Sequence, residues 1–470
     1  EAVESIQVTK GPFEIHQGAF AVAGSAAYRL GIPAQRRGLF GAYSIGTTNR
    51  HRGVLTLSGK EGGDFLAVEG LHDTGFGQNR DIDRAALLAR LRLVENREKG
   101  DISLLAAAQI SRFGLPGALR EDALGAQGFF DAADPEGRGE SGRAILGITA
   151  RREGEKSETW ASAFASYRVL EIAENYTLFL EDPVNGDRRL QRQRSLQSGL
   201  RLGQTYRLSA PLGLETGAGL TVDSLRQEEL HVGAEEIPLA QERALSGIQA
   251  QAHLLGGLHL QPTAGLRLFA GARAELAWVE MRDGAQARVA GSALTLAPRT
   301  SAAWKIAEPW RLYAAYGRGF RPPEARNYDD APKMTAADTA ELGLHWLPGP
   351  RLRIGGSAFA SFLESESFYD HVSGSFLELD ASRRLGAEFE LEMRPSPTWR
   401  LGADLSYVDA RFVESRSPIP YAPWLVAGGR AYWQSPNGSQ AGLRIRYLAP
   451  RHLPHGAKGP PQVVADPPAA

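Results

Sequence analysis

The chain has 470 residues, with 53 Lys+Arg against 54 Asp+Glu and no Cys. That balance excludes a strongly basic nucleic-acid binder. The lack of Cys excludes a disulfide framework, a thiolate zinc site, an iron–sulfur cluster and a Cys nucleophile.

Residues 1–30 hold a short strand around Ile6 and Val8, a turn at Gly11-Pro12 and a Gly/Ala-rich stretch. The opening has neither the basic start nor the apolar core of a signal peptide. From there on, apolar and polar residues alternate almost without a break. Leu87, Ala89, Leu91 and Leu93 share one parity. In the uncharged stretch 244–266, Ile248, Ala250, Ala252, Leu254, Leu258 and Leu260 oppose Gln249, Gln251, His253, His259 and Gln261. This stretch is long enough for a membrane helix, but a helix would scatter Gln and His around its circumference, whereas a strand puts them on one face. Leu266 to Trp278, Leu352 to Phe362, Leu385 to Met393, Trp399 to Tyr407 and Leu443 to Tyr447 repeat the pattern. About nineteen such runs of about 9–12 residues are predicted, the length that crosses a bilayer as a tilted strand. No amphipathic helix of several turns separates them, which excludes α/β folds.

Alternation alone fits both a soluble sandwich and a transmembrane barrel. Three features favour the barrel. The runs are long, and their series is almost unbroken. Trp160, Trp304, Trp310, Trp346, Trp399 and Trp433 also lie near run ends, as interfacial girdles require. Connections alternate between short ones, such as 347–350, 395–397 and 435–439, and long ones, such as 113–142, 223–243 and 321–337. From Leu448 onward the chain carries six Pro in 23 residues and no alternation, so this tail is expected to be unpaired and disordered.

Glu4, Ile6, Val8, Lys10, Gly11, Pro12, Gly18, Ala23 and Gly24 in the opening segment, and Tyr316, Gly317, Gly319, Phe320, Arg321 and Pro323 in YGRGFRPPEAR, carry a resemblance. The first set is similar to the end of the plug domain of TonB-dependent outer-membrane receptors. The second resembles a strand-end signature in the later half of their barrel. The stretch from Asn175 to Asp187 also resembles a strand tip and loop of the family. The resemblance implies an all-β chain with a transmembrane antiparallel barrel of the 22-stranded type. It divides the chain into a plug remnant at 1–32, a barrel at 33–449 and a Pro-rich tail at 450–470. On this basis the chain is expected to be a fragment whose barrel lacks its last strands and whose two sheet edges stay unpaired.

The chemistry of the sequence is sparse. Ten His are scattered without a metal-ligand spacing, and there is no G-x-S-x-G elbow or phosphate loop. No catalytic residue, metal site or cofactor is expected. Arg90, Arg92, Arg201, Arg267, Arg273, Arg351, Arg353, Arg444 and Arg446 fall on polar faces. They either line a path for anionic ligands or pair with luminal carboxylates such as Glu275, Glu388, Glu390 and Asp404, or with the plug. Phe129, Phe130, Tyr176, Phe179, Tyr328 and Tyr369 in the long loops are candidate ligand contacts. The resemblance implies a monomeric receptor in the outer membrane of a Gram-negative bacterium. It would take up a scarce nutrient, foremost a ferric siderophore or other metal chelate, with the inner-membrane TonB complex as partner. A passive porin-like channel and an outer-membrane enzyme are the alternatives.

Overall fold

The structure, a computed structural model, describes residues 2–96, 100–117, 128–175, 177–179, 182–284, 287–323, 333–370, 375–452 and 463–464. Two short strands, β1 (Val3–Lys10) and β2 (Gly24–Leu30), form a hairpin of their own. The wall of the molecule starts with β3 (Leu39–Gly46), β4 (Arg50–Ser58), β5 (Phe65–Asp73), β6 (Ile82–Asn96) and β7 (Gly100–Gly114). The strands then lengthen through β8 (Arg138–Glu153), β9 (Ser157–Asn175), β10 (Arg188–Arg207), β11 (Leu212–Val232), β12 (Pro238–Thr263), β13 (Leu266–Asp283) and β14 (Ala287–Ala307). They shorten again through β15 (Trp310–Arg321), β16 (Thr335–Gly349) and β17 (Leu352–Leu363). A side hairpin, β18 (Glu366–Asp370) with β19 (Ser375–Leu379), interrupts the series. The wall resumes with β20 (Ser382–Ser396), β21 (Trp399–Phe412), β22 (Leu425–Gln434) and β23 (Gln440–Leu448).

These nineteen wall strands form one antiparallel barrel in sequence order, with β23 beside β3. That corrects the expectation of two separated edges. Closure hides each edge behind the other, as an apolar solvent demands. At the seam β23 adjoins β3, and each sequential neighbour pair, from β3–β4 to β22–β23, shares a ladder of at least eight partnered positions. In the tail, expected to be unpaired, Arg451 and His452 pair with Val464 and Val463 as β24 and β25. Two partners suffice for a bridge, and none of these four residues is proline.

Residue parity decides which face is wet. On β13, Arg273, Glu275, Ala277, Val279 and Met281 point inward and are buried, whereas Leu276 and Trp278 are exposed outward. Outward Leu and Ile side chains repeat this on β10, β12 and β14. Inner-face rings lie across partner-strand glycines: Phe164 on Gly199, Trp160 on Gly203, Tyr313 on Gly343 and Phe359 on Gly386. A methyl there would collide with the ring, so close cross-strand approach accounts for part of the glycine content.

Five of the outward indoles gather at the short-turn end. Trp310 partners Trp346, with rings 5.9 Å apart, and Trp399 partners Trp433. Trp304 lies at the same end. Trp160 is a correction to the expected girdle. It shares parity with Phe164 and Ser166, faces the lumen and meets His16 edge-on at 5.6 Å. Being near a strand end does not separate lipid-facing from lumen-facing positions; parity does.

Candidate functional site

The lumen holds the N-terminal segment, and this is where the molecule's polar chemistry converges. At one side, Ala2 and Ile32 pack on Phe65 with Leu30, Ala67 and Leu88 around them. Ile32 N donates to Gly62 O at 3.1 Å, and Arg90 reaches Leu30 O. At the other side, Phe20 N donates to Phe320 O at 2.9 Å. Phe65 is on β5 and Phe320 on β15, which stand nine places apart in the ring of nineteen by the shorter way round. The segment therefore runs from one wall to the opposite one, a strut across the bore.

The strut's fold is local. Gly11 takes a left-handed φ of 78° that an L side chain resists. The turn after it is tied by the buried Gln17, whose amide donates to Gly11 O at 3.0 Å and Ser25 Oγ at 2.9 Å. Gln17 Oε1 accepts from Glu14 N at 2.8 Å.

The two segments that carry the family resemblance, 300 residues apart in sequence, meet here. A Cβ on Gly317 would sit 2.1 Å from Pro12 O, and one on Gly319 would sit 2.8 Å from Ala21 O. Only bare backbone lets the strut approach this wall so closely. Phe320 is buried with Ala277, Ala297 and Met334 in a cluster that Ala19 covers. Tyr316 Oη donates to Asp338 at 2.6 Å, and Pro323 O accepts from the Gln249 amide at 3.2 Å. Lys10 forms an ion pair with Glu388.

Beneath the strut lies a buried charge group. Arg299, 1% exposed, donates through both terminal nitrogens, to Glu14 O and to Gln17 O, the latter at 2.7 Å. Arg273 and Glu275, 5% and 2% exposed, pair at 2.8 Å, with Gly18 directly over the guanidinium. Glu215 holds His16 of the strut at 2.5 Å and His259 of the wall at 2.8 Å. Of the two readings of the luminal arginines, pairing holds for Arg273 and for Arg92, which binds Asp64 and Glu95. Arg90 contacts the strut, and Arg201 lies 6.0 Å from the Phe164 ring. His253 and His259 both line the lumen, and among the described residues no group of three or more His, Asp or Glu is placed to hold a metal ion.

On the long-loop side of the strut, a cavity of about 570 Å³ opens between it and the wall of β16, β17 and β20. Lys10, Gly11 and Arg321 line it, opposite Glu341, Glu366 and Arg384. Its carboxylates are engaged: Glu366 binds Arg384, Glu388 binds Lys10, and Glu341 accepts a hydrogen bond from Tyr313 Oη at 2.9 Å.

Above, the long loops are tied together. Buried Asp134 binds Arg188 at 2.6 Å and accepts from Asn175 N at 2.9 Å. The Asn79 amide donates to the carbonyls of Leu115, Asp134 and Gly137. Of the candidate ligand contacts, Phe129 and Phe130 stand exposed and perpendicular with centroids 5.3 Å apart, and Phe179 is exposed on the next long loop. Tyr369 belongs to β18, and its side chain lies outside the described residues, as do Tyr176 and Tyr328. Sequence reasoning missed Gln17, Glu215, Arg299 and Asp134. Only Asp134 carried a signal, the turn-type Asp-Pro-Glu-Gly run.

A family model described as TonB-dependent receptor-like β-barrel matches residues 97–465. The chain belongs to the TonB-dependent receptor β-barrel family. Among solved structures it resembles the ferric yersiniabactin uptake receptor FyuA from Yersinia pestis, at 12% identity and a TM-score of 0.78, over 96% of this chain and 74% of that one. The siderophore receptor PiuA from Acinetobacter baumannii matches at 15% identity and 0.75, over 96% and 77%. The ferric-catecholate import receptor Fiu from K12 E. coli matches at 16% and 0.74, over 96% and 76%. At such identities the likeness is one of fold. No curated protein matches in sequence. The family is one of transporters and receptors of the Gram-negative outer membrane. Among the described residues no helix is long and apolar enough to cross a membrane.

Proposed function

We propose that this chain is the wall and inner strut of an outer-membrane uptake receptor, gated by movement of the strut and energised by the TonB complex. The observation that carries this reading is the strut itself. A segment pinned to opposite walls narrows the bore, and release of the pins on one side would open it to a solute. The strut's outer wall contacts are mostly polar or close backbone approaches, such as Arg299 to two carbonyls and Pro12 on Gly317. Polar contacts exchange readily for water once a pull opens them.

In this reading residues 1–32 act as part of a plug. The ligand is a ferric siderophore or another metal chelate, as in the named relatives. Phe129, Phe130, Phe179, Tyr176, Tyr328 and Tyr369 are its first contacts at the mouth, and the cavity at Lys10 and Arg384 is a stop on the way in. The mechanism is capture and gating without covalent chemistry. A passive channel fits less well, because an open pore has no use for the strut.

The absence of native Cys makes a clean test. Cysteines replacing Lys10 and Glu388, joined by a short cleavable cross-linker, hold the strut to the wall. Energy-dependent uptake of a metal chelate into cells should stop on cross-linking and return on cleavage. Uptake that is unchanged by the cross-link, or by loss of TonB, would overturn the proposal.

A further inference from the structure

The outward face of the tall wall carries a second polar feature, away from the lumen. Along β10 the outward side chains from Tyr206 to Leu196 are mainly apolar, with Leu202 and Leu200 between them. Ten residues at about 3.3 Å each, tilted by about 40°, rise roughly 25 Å, the height of the apolar band of an outer-membrane barrel. The next outward residue above Leu196 is Arg194.

Register carries that level sideways. Arg194 partners Arg226 on β11, Arg226 partners Ser246 on β12, Ser246 partners Arg282 on β13, and Arg282 partners Arg288 on β14. Four arginines thus share one row across five strands, all exposed. Arg288 is paired with Glu280 at 2.8 Å. Arg194, Arg226 and Arg282 have no carboxylate partner among the described residues. Other outward charges just above this level do pair: His72 with Asp83, Arg112 with Glu140 and Arg192 with Glu171.

Like charges directly opposite on neighbouring strands repel, so Arg194 facing Arg226 calls for an anion between them. The surface there is concave. A hollow of about 370 Å³ is lined by Arg194, Arg226, Ser224 and Ser246, with Tyr167 and Ile248 toward the apolar band. Two guanidiniums and two hydroxyls at the upper edge, with apolar side chains below, match an anionic headgroup on an acyl chain. Guanidinium pairs suit phosphate oxygens through forked hydrogen bonds.

We propose that Arg194 and Arg226 form an external site for the phosphate headgroup of a membrane lipid, its acyl chains lying down the wall over Leu196 and Ile248. The site is separate from the lumen and does not depend on which solute the lumen carries.

The test uses the whole chain, extracted from outer membranes in mild detergent, with co-purifying lipid measured by mass spectrometry. The chain should retain a phosphorylated lipid. Arg194→Gln with Arg226→Gln should lower its occupancy by about tenfold or more, as expected from losing the charge-assisted contacts. The charge-keeping pair Arg194→Lys with Arg226→Lys should retain much of it, and Arg112→Gln, at an arginine already paired, should leave it unchanged. A heat-dependent gel shift for every variant establishes that the barrel is folded. Re-lipidation separates the sources: vesicles of a phosphate-bearing lipid should restore occupancy, whereas inorganic phosphate or vesicles of a lipid with an uncharged headgroup should not. Equal lipid retention by the Gln pair, or equal uptake of the uncharged lipid, would overturn the proposal, as would binding of inorganic phosphate alone.

Discussion

The wall formed by β13, β14 and β15 and the seam formed by β22, β23 and β3 have the same alternating sequence, yet one is buried on its inner face and the other is open. Arg273, Glu275, Ala277, Val279, Ala297 and Arg299 are buried in the first. Every residue of β23 but Leu448 is exposed. The strut makes part of the difference, since it covers Arg273 and Arg299; Phe320 and Met334 cover Ala277 and Ala297, and Leu225 and Val289 pack on Val279. Alternation makes a strand two-faced; what covers the inner face decides whether its polar groups sit in water or must be paired. Arginine illustrates this. Arg444 and Arg446 on β23 face water and need no partner, whereas Arg273 and Arg299 are held by a carboxylate and two carbonyls.

The comparison breaks most visibly at the buried charges. Arg273→Ala leaves Glu275 buried and alone, and should cost about 3–5 kcal/mol. Denaturant unfolding of the lipid-reconstituted chain measures it, and a loss under about 1 kcal/mol would refute the burial argument. Arg444→Ala at the seam should change nothing measurable in the same assay. Next in size is a pair of glycines. Gly317→Ala drives a methyl into Pro12 O, and should weaken docking by about 1–3 kcal/mol. The readouts are faster proteolytic release of residues 2–37 and higher conductance across a planar bilayer. Gly429→Ala on β22 meets nothing within 4 Å, so both readouts should stay at the parent level. Lys10→Ala removes an ion pair whose lysine is 68% exposed. Solvent screening limits its loss to about 1 kcal/mol or less, visible as a small rise in strut proteolysis at low salt that vanishes at high salt.

The smallest effect lies on the short-turn side, outside the membrane. The Arg92 backbone N–H, at 2.6 Å, and then its guanidinium hold the Asp64 carboxyl below the usual carboxylate range. A lowered folded pKa adds stability above the unfolded value, and that stability is lost as pH falls through the folded value. Hydrogen exchange in the 59–64 loop should therefore quicken on acidification below about pH 4. Asp64→Asn should flatten that acid response, and an unchanged pH profile in the variant would count against this carboxylate as its source.

Much of the fold was legible because a barrel wall repeats one rule. Parity located the strands, and the run count equals the nineteen wall strands. Parity also held the answer for Trp160, which shares a face with Ser166 and Arg168; strand-end position misled there. The strut's docking was partly legible. Lys10-Gly11-Pro12 and Tyr316-Gly317-Arg318-Gly319-Phe320 stood out separately, but nothing local says that they touch. Glu215 and His259 lie close together on the neighbouring strands β11 and β12, but His16 reaches them from the strut, 199 residues from Glu215 in sequence, and nothing local says that it docks there. Pairings across a lumen depend on ring position, which a strand-by-strand reading does not contain.

Strand length varies around the ring, from 26 residues in β12 to 8 in β3, which adjoins the 9-residue β23, and β12 stands nine places from both β23 and β3. At about 3.3 Å per residue and a tilt of about 40°, the longest and shortest strands correspond to roughly 65 Å and 20 Å of wall height. The rim is therefore a slope, not a level crown. The strands on the low side stop well short of those on the other, which stand above them as a parapet. In the uptake role proposed above, the tall flank is the backstop against which a solute crossing the mouth turns down toward the strut.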